Sequence, residues 1–548
     1  MLRRLTHHAL QLACWRGDRA FRDGRDAPER VQRARLAALL ADIAPRHGLE
    51  RDASWEHFRD SVPLSRYEDW QAAIAAQRAG GRPLSNSPLA RYQPTSGSSQ
   101  ALKLIPYTRA FLGELDAAIA PWVASLYRQH PDLRDGVHYW SVSWLPESQR
   151  ALLDGNFNDD SELLGGAKRW LAALTQAVPA GVAFAGAADD AQFATLAHLL
   201  ARDDLRLLSV WSPTFALQLL EAVPRHGEEV LTVLRQGHWG RRAAALAAVP
   251  VPVAGPGRLA RLRGALAAPA SELGQRLWPA LALVSAWDTA DAAPWAARLR
   301  LCLPQAAFEG KGLWATEGVV TVPCDGQYPL AYRSHVYEFE RLHDGAVLAP
   351  WEVREGDEVS PVLSTGSGLL RYRLDDRLAV TGFWGRVPCF QFLGRRFGVD
   401  MVGEKMSPEA ARQVLAEVAL AHGVQPVCLY AVDAGVELRP RYLALFGSGD
   451  GARPGVVQAA QLAADVERGL RRHFHFDLAR DLRQLEATAA FVADDGWALY
   501  QQLAVAAGMI AGNLKPEPVR RLPLSLVRQH APQLLPALTA GHGHEALP

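Results

Sequence analysis

The chain has 548 residues, 59 basic against 58 acidic, and a mean hydropathy of −0.07. So even a charge balance argues against a broad polybasic surface for nucleic acid or anionic membrane. No apolar run reaches the length of about 18 residues that a spanning helix needs, and the length calls for at least two domains. Only five basic residues are lysines: Lys103, Lys168, Lys311, Lys405 and Lys515. Base composition accounts for arginine wherever either residue serves, so the positions that keep a compact ammonium are the ones to follow. The five cysteines (Cys14, Cys302, Cys324, Cys389, Cys428) include no Cys-x-x-Cys pair. That reads as a cytoplasmic protein without a disulfide framework or structural zinc site.

In chain order, residues 1–90 read as helical, beginning with an amphipathic first helix in MLRRLTHHALQLACW. RVQRARLAALLADIAPRHG has apolar residues at helical spacing and stops at His47-Gly48. A turn-rich stretch, 80–100, leads into a helix near Arg109–Tyr127. From about 137, strand-like runs (VHYWSVSWL, LRLLSVWS, LALVSAW) alternate with helix-like ones (ATLAHLLAR, TFALQLLEAV, PWAARLRLCL). This is the pattern of an α/β core with a largely parallel sheet. Residues 250–275 are low in variety but compatible with helix. From 314 to 393 strand patterns dominate and predict a β-rich subdomain. Beyond Gly394 a new unit starts, with Ser407 as N-cap, Pro408 at the first helical position and a helix that stops at Gly423. The expected division is a domain of 1–393 and an α+β domain of 394–548.

Four segments carry groups suited to chemistry. In YQPTSGSSQALKLIPYT, Thr95, Ser96, Gly97, Ser98 and Ser99 form a hydroxyl- and glycine-rich turn with Lys103 behind it. Such a turn can cradle a phosphate, or stand as a solvated turn; the P-loop spacing is absent. In GLWATEGVV, Thr316 can bond a phosphate oxygen and Glu317 can ligate Mg²⁺, which favours a carboxylate plus substrate phosphates. Trp314 reads equally as a stacking platform or a core residue. In LRYRLDDRLAVTGFWGRVPCFQFLGR, Asp376 suits ribose hydroxyls or a turn, Arg373 an ion pair, and Arg395 ribose or phosphate. In GNLKPEP, Lys515 stands before a proline on a loop and can reach a developing charge.

Taken together and in order, these segments resemble the Gretchen Hagen type acyl-acid amido synthetases, the auxin-responsive promoter family of the adenylate-forming superfamily. The resemblance runs through most of the chain: FRDSVPLSRYEDW at Phe58–Trp70, TSGSSQALKLIP, LWATEG, YRLDDRLAVTGF and FLGRRFGVDMVGEKMSPE. It implies a large adenylate-forming domain and a small mobile C-terminal domain. It implies ATP and Mg²⁺ as cofactors, and a small carboxylic acid and an amino acid or other amine as substrates, with no nucleic acid or membrane partner.

By the same resemblance Ser96, Gly97, Ser98 and Ser99 would hold ATP phosphates and Trp314 would line the adenine site. Thr316 would contact the α-phosphate, Glu317 would bind Mg²⁺, Asp376 would hold the ribose with Arg395 close by, and Lys515 would reach the adenylation site. Tyr337 and Phe339 fall on an aromatic strand that flanks the family's acyl pocket, a pattern that core strand residues share. Two positions depart from the family: Gln100 stands near where its members often have a second loop glycine, and Asp375 replaces the glycine of Tyr-Arg-x-Gly-Asp. An acyl-CoA ligase of the same superfamily, or an adenylate-binding protein without turnover, fits the same motifs.

Overall fold

The structure is a computed structural model that describes residues 2–95, 103–142, 144, 164–396, 398–433, 439–448, 456–507 and 517–539. The described chain divides into two compact units, Met1–Thr95 with Lys103–Arg396, and the residues from Phe397 on.

The first unit opens with the helix Leu2–Asp23. His7, Leu10, Cys14, Asp18 and Phe21 face inward at helical spacing, while Leu12 and Trp15 are exposed. The helix Pro28–His47 ends where the glycine predicts: Gly48 stands at φ 69 and its N–H returns to the Ala44 carbonyl. The α/β core has strands β3 (Val137–Trp140), β4 (Leu205–Ser209), β5 (Leu283–Ala286) and β6 (Ala307–Gly310), all parallel and in sequential order. Helices between them, including Ala188–Ala201 and Pro213–Gln236, bury an aliphatic and aromatic core of their own. The low-variety stretch forms two helices, Pro256–Leu266 and Ala270–Leu277.

The β-rich subdomain is an antiparallel sheet. Its strands are β9 (Val336–Arg341), β10 (Val347–Leu348), β11 (Glu358–Ser364), β12 (Tyr372–Arg373), β13 (Asp376–Trp384) and β14 (Val387–Arg395). They run in the order β10-β9-β11-β13-β14, with β12 paired to β11.

The second unit is α+β. Ser407 caps the helix Pro408–His422 by accepting from the Ala410 N–H at 3.1 Å. This cap contributes about 1 kcal/mol. Strands β15 (Gln425–Asp433) and β16 (Arg441–Gly447) pair antiparallel, flanked in parallel by β17 (Ala489–Ala493) and β18 (Val519–Pro523). Two further helices are Val456–Leu470 and Phe474–Asp481. Among the described residues no helix is long and apolar enough to cross a membrane, and all five cysteines are free thiols.

Candidate functional site

Thr316 and Glu317 are the two turn residues of a tight hairpin between β7 (Trp314–Ala315) and β8 (Gly318–Val319). Long-range contacts fix its position. The Tyr107 hydroxyl donates to the Thr316 carbonyl at 2.9 Å, and the Tyr337 hydroxyl donates to the Val319 carbonyl at 2.6 Å. The Val319 N–H meets His335 Nε2 at 3.2 Å. That nitrogen is therefore the acceptor, and Nδ1 carries the proton it gives to Glu114 at 2.8 Å. Glu114, on the helix Arg109–Gln129, also takes the Gly366 N–H at 3.1 Å and Arg35 at 3.1 Å. The imidazole explains the glycine of Thr-Glu-Gly: a Cβ on Gly318 would lie 2.8 Å from His335 Nε2 and 2.7 Å from Leu363.

Three motifs distant in sequence meet around Tyr372. Its buried hydroxyl lies 3.5 Å from Glu317 Oε1. Burial first, then the charges of Glu317, Glu68 and Asp375, push that hydroxyl well above its ordinary value. Strand β2 (Lys103–Thr108), which follows the serine-rich segment, starts at the same place. The Leu104 N–H bonds the Tyr67 hydroxyl at 2.8 Å, and Lys103 Nζ sits 3.4 Å from Glu68 and 5.2 Å from the centre of the Tyr67 ring. Asp376 is buried at the head of β13, opposite Arg395 on β14. Arg373 is an ion-pair partner, 2.9 Å from Glu340.

Asp375 stands at φ 58, the left-handed region where a glycine is at ease. One carboxylate oxygen takes Arg66 at 2.8 Å. The other is buried with no hydrogen-bond partner among the described residues. Asp375→Gly is expected to be more stable than Asp375→Ala by about 1 kcal/mol, because only alanine keeps the strained Cβ; urea denaturation of the two variants measures this. Equal stabilities would show that the turn tolerates a side chain for another reason.

The other expected site residues are placed as follows. Tyr337 and Phe339 are fully buried in the core. The Tyr337 hydroxyl is shared between the Val319 and Ala331 carbonyls, and the Phe339 ring stacks on Phe390 at 4.8 Å. The ring of Trp314, expected beside adenine, stands in the wall of an apolar cavity. It packs edge to face on Trp122 at 5.3 Å and Trp211 at 5.5 Å, with its indole N–H on the Thr321 carbonyl. Trp140, Ile119 and Lys311 line the same cavity. Ser96, Gly97, Ser98, Ser99, Gln100 and Lys515 lie outside the described residues, as does the side chain of Arg395. Lys168 is accounted for by an ion pair with Asp116. In the second unit Lys405 is held at φ 50 beside Glu404. Glu404 is a buried carboxylate that accepts from the Met401 and Val402 N–H groups and the Tyr442 hydroxyl.

Next to the cavity, Glu309 bonds the Trp122 indole N–H at 2.8 Å. Its carboxyl is pushed up to about 7 by burial, which outweighs that bond and the nearby Lys311 charge. A carboxyl raised by folding binds its proton more tightly in the native state, so the stability it contributes is lost as pH rises from 4.5 to 7. Glu309→Gln, which stays neutral, should therefore gain on the wild type across this window and hold a level advantage above it. Urea midpoints at pH 5, 6, 7 and 8 check the sign.

Tyr67, Tyr107, Tyr372, His335, Glu114 and the cavity residues Trp122, Trp140 and Trp211 were not evident as site residues from sequence. The one available signal was that Trp140 and Trp211 stand at the carboxyl ends of predicted parallel strands, where ligands of α/β folds bind.

Comparison with known proteins places these features in a family. The model of the GH3 family N-terminal domain matches residues 19–308, and that of the GH3 family central domain matches 328–395. An indole-3-acetic acid-amido synthetase, GH3.15 of Arabidopsis thaliana, is 24% identical over 420 residues, covering 68% of this chain and 69% of that protein. A probable indole-3-acetic acid-amido synthetase, GH3.11 of Oryza sativa subsp. japonica, is 37% identical over 87 residues, 14% of this chain and 15% of its own length. The solved structure of GH3.15 acyl acid amido synthetase superposes with a TM-score of 0.59 at 18% identity, over 93% of this chain and 94% of that one. A 2-hydroxyisobutyryl-CoA ligase shares the fold at a TM-score of 0.50 and 12% identity, over 97% of this chain and 92% of that one. With its N-terminal domain model alone matching more than half of its length, the chain belongs to the GH3 family.

Proposed function

We propose that the chain is an ATP-dependent, AMP-forming acyl-acid amido synthetase. It activates a small carboxylic acid as an acyl-adenylate and passes the acyl group to an amine, in the first instance that of an amino acid. The observation that carries this reading is the meeting of Glu317, Glu68 and Asp375 around Tyr372, with Lys103 on Glu68, in a chain of this family. Curated relatives named as amido synthetases support it.

In the first half-reaction a carboxylate oxygen attacks the α-phosphorus of ATP, and the bond to pyrophosphate breaks. Thr316, on the hairpin tip held by Tyr107 and His335, would steady the α-phosphate. Ser96, Ser98, Ser99 and the backbone at Gly97 would hold the other phosphate oxygens, and Asp376 with Arg395 the ribose. Glu317 suits Mg²⁺: it is a half-buried carboxylate on a turn. Among the described residues no cluster of three or more His, Cys, Asp or Glu forms an all-protein cage, and Mg²⁺ favours one or two carboxylates with substrate phosphates. When bound, the ion supplies charge neutralisation at the phosphates. Lys515 would meet the charge that develops on them. In the second half-reaction the amine nitrogen attacks the acyl carbon and loses a proton, and AMP departs with the bonding electron pair. The domain from 394 on would turn between the two half-reactions, so that one pocket serves both.

The test is a matrix of acids and amines with Mg²⁺ and ATP, read by mass spectrometry, with CoA as a further acceptor. An amide together with AMP and pyrophosphate is the expected product. A thioester in place of any amide would overturn the assignment of the acceptor. Absence of pyrophosphate release across the whole acid panel would overturn the ligase reading.

A further inference from the structure

One buried carboxylate ties the motif segments together without belonging to any of them. Glu114 is 6% exposed and lies within the helix Arg109–Gln129. It gathers donors from three separate parts of the first unit. Arg35 reaches Oε1 at 3.1 Å, the Gly366 N–H lies 3.1 Å from both oxygens, and His335 Nδ1 meets Oε2 at 2.8 Å. A carboxylate only accepts, so it satisfies all three at once.

Two of these contacts lead to the motifs. Gly366 lies in the turn between β11 and β12, from which the chain runs through Tyr372 to Asp376. Its carbonyl takes the hydroxyl of Thr108, the last residue of β2, at 2.7 Å. A Cβ on Gly366 would lie 2.9 Å from that of Ala110 and 3.1 Å from Glu114 Oε1, so this turn is seated directly on the helix.

His335, fully buried, leads to the hairpin of Thr316 and Glu317. The backbone N–H of Val319 can only donate, and it faces Nε2 at 3.2 Å. A proton on Nε2 would set donor against donor. The hairpin therefore needs the tautomer with its proton on Nδ1, and the Glu114 carboxylate selects it by accepting that N–H. The imidazole also stacks on Phe111, with ring centres 5.5 Å apart, which fixes its plane.

We infer that Glu114 and His335 are positioning residues: the carboxylate sets the imidazole tautomer, and the pair holds the Thr316–Glu317 hairpin in register with the turn that leads to Tyr372 and Asp376. Neither touches substrate. The consequence for catalysis rests on the reading above that Thr316 meets the α-phosphate and Glu317 the Mg²⁺.

Three single variants of the full chain test it. Glu114→Gln offers one acceptor oxygen to three donors, and its amide N–H favours the wrong tautomer of His335. His335→Gln keeps an acceptor oxygen at the ε position that faces Val319. His335→Asn keeps a polar group only at the δ position, beside Glu114. Both amides lose the ring, so a role in packing alone would make them equal. Hydrogen–deuterium exchange of peptides covering 314–320 and 364–370 reads the positioning without any reaction. Exchange should rise about tenfold in both peptides for Glu114→Gln and in the first for His335→Asn, and stay near the wild type for His335→Gln. Pyrophosphate release should fall by about 10–100-fold in Glu114→Gln and His335→Asn, with a raised Mg²⁺ half-saturation. A smaller folded fraction would lower the rate and leave the Mg²⁺ requirement unchanged. If Glu114→Gln fails to fold, the His335 pair decides alone. The inference is overturned by unchanged exchange in Glu114→Gln, or by equal exchange at 314–320 in the two His335 variants. The expected exchange pattern in a protein that releases no pyrophosphate with any acid would leave the positioning role standing and remove the ligase reading. The same pattern with an undiminished rate and Mg²⁺ requirement would remove the hairpin from the site.

Discussion

Glu317→Ala is expected to slow carboxylate-dependent pyrophosphate release from Mg·ATP by about 10²–10³-fold, the usual cost of deleting one group aimed at a developing charge. The effect should fall on chemistry and on the Mg²⁺ requirement. Glu317 sits on a two-residue turn, half-buried, and its nearest recorded partner is the Tyr372 hydroxyl at 3.5 Å, a long contact. The hairpin itself is held by Tyr107, Tyr337 and His335 through backbone atoms that the substitution leaves in place. Stability should therefore change by no more than about 0.5 kcal/mol. Removing the carboxylate should even ease Tyr372, whose hydroxyl is pushed up by burial and then by the Glu317 charge. Two measurements separate the possibilities: pyrophosphate release titrated with Mg²⁺ and urea denaturation. A normal rate with a normal Mg²⁺ dependence would remove Glu317 from the site. A slow rate with an equal loss of stability would make it structural.

The elements legible in sequence are those whose cause is local. Gly48 and Ser407 end and start helices through their own backbone and side chain. The alternation of strand and helix runs announces the parallel sheet, because each strand must be followed by a crossover. Asp375 was legible as an oddity, since an aspartate in a glycine position marks a left-handed residue. The meeting of three motifs at Tyr372 was not legible, because it depends on contacts such as Tyr107 to Thr316 and Tyr67 to Leu104 that no periodicity encodes.

Strand β9 shows why Tyr337 and Phe339 cannot be read as pocket or core from sequence. In Val-Tyr-Glu-Phe-Glu the alternation suggests one wet face and one dry face. In the structure Val336 through Glu340 are all buried, and the glutamates are inside because arginines meet them. An aromatic side chain on such a strand looks the same whether it faces a pocket or the core.

Those glutamates carry the largest expected effect on stability. Glu338 and Arg371 have side chains only 2% and 7% exposed, and they are joined by two bonds of 2.7 and 3.0 Å. Arg371 also donates to the Arg59 and Val62 carbonyls. Glu338→Gln keeps the shape but leaves a buried guanidinium without its counter-charge, a change that costs about 3–5 kcal/mol. Urea denaturation, read on the transition of the first unit, should show a loss of this size. Pairing Glu338→Gln with Arg371→Met should recover a large part of it, since the uncompensated charge then disappears; a double-mutant cycle isolates the coupling. The site should feel the same substitution. Arg371, at φ 46, is the residue through which the chain turns into Tyr372, and Asp375 and Asp376 follow within five residues. Below its melting range Glu338→Gln should raise the KM for ATP with a smaller change in kcat if Asp376 holds the ribose as proposed, because the segment that loosens would then bind the nucleotide without touching the reacting atoms. A loss below about 1 kcal/mol would mean that the guanidinium finds enough compensation in the Arg59 and Val62 carbonyls, and that the ion pair sets the register of β12 against β11 more than it holds the fold.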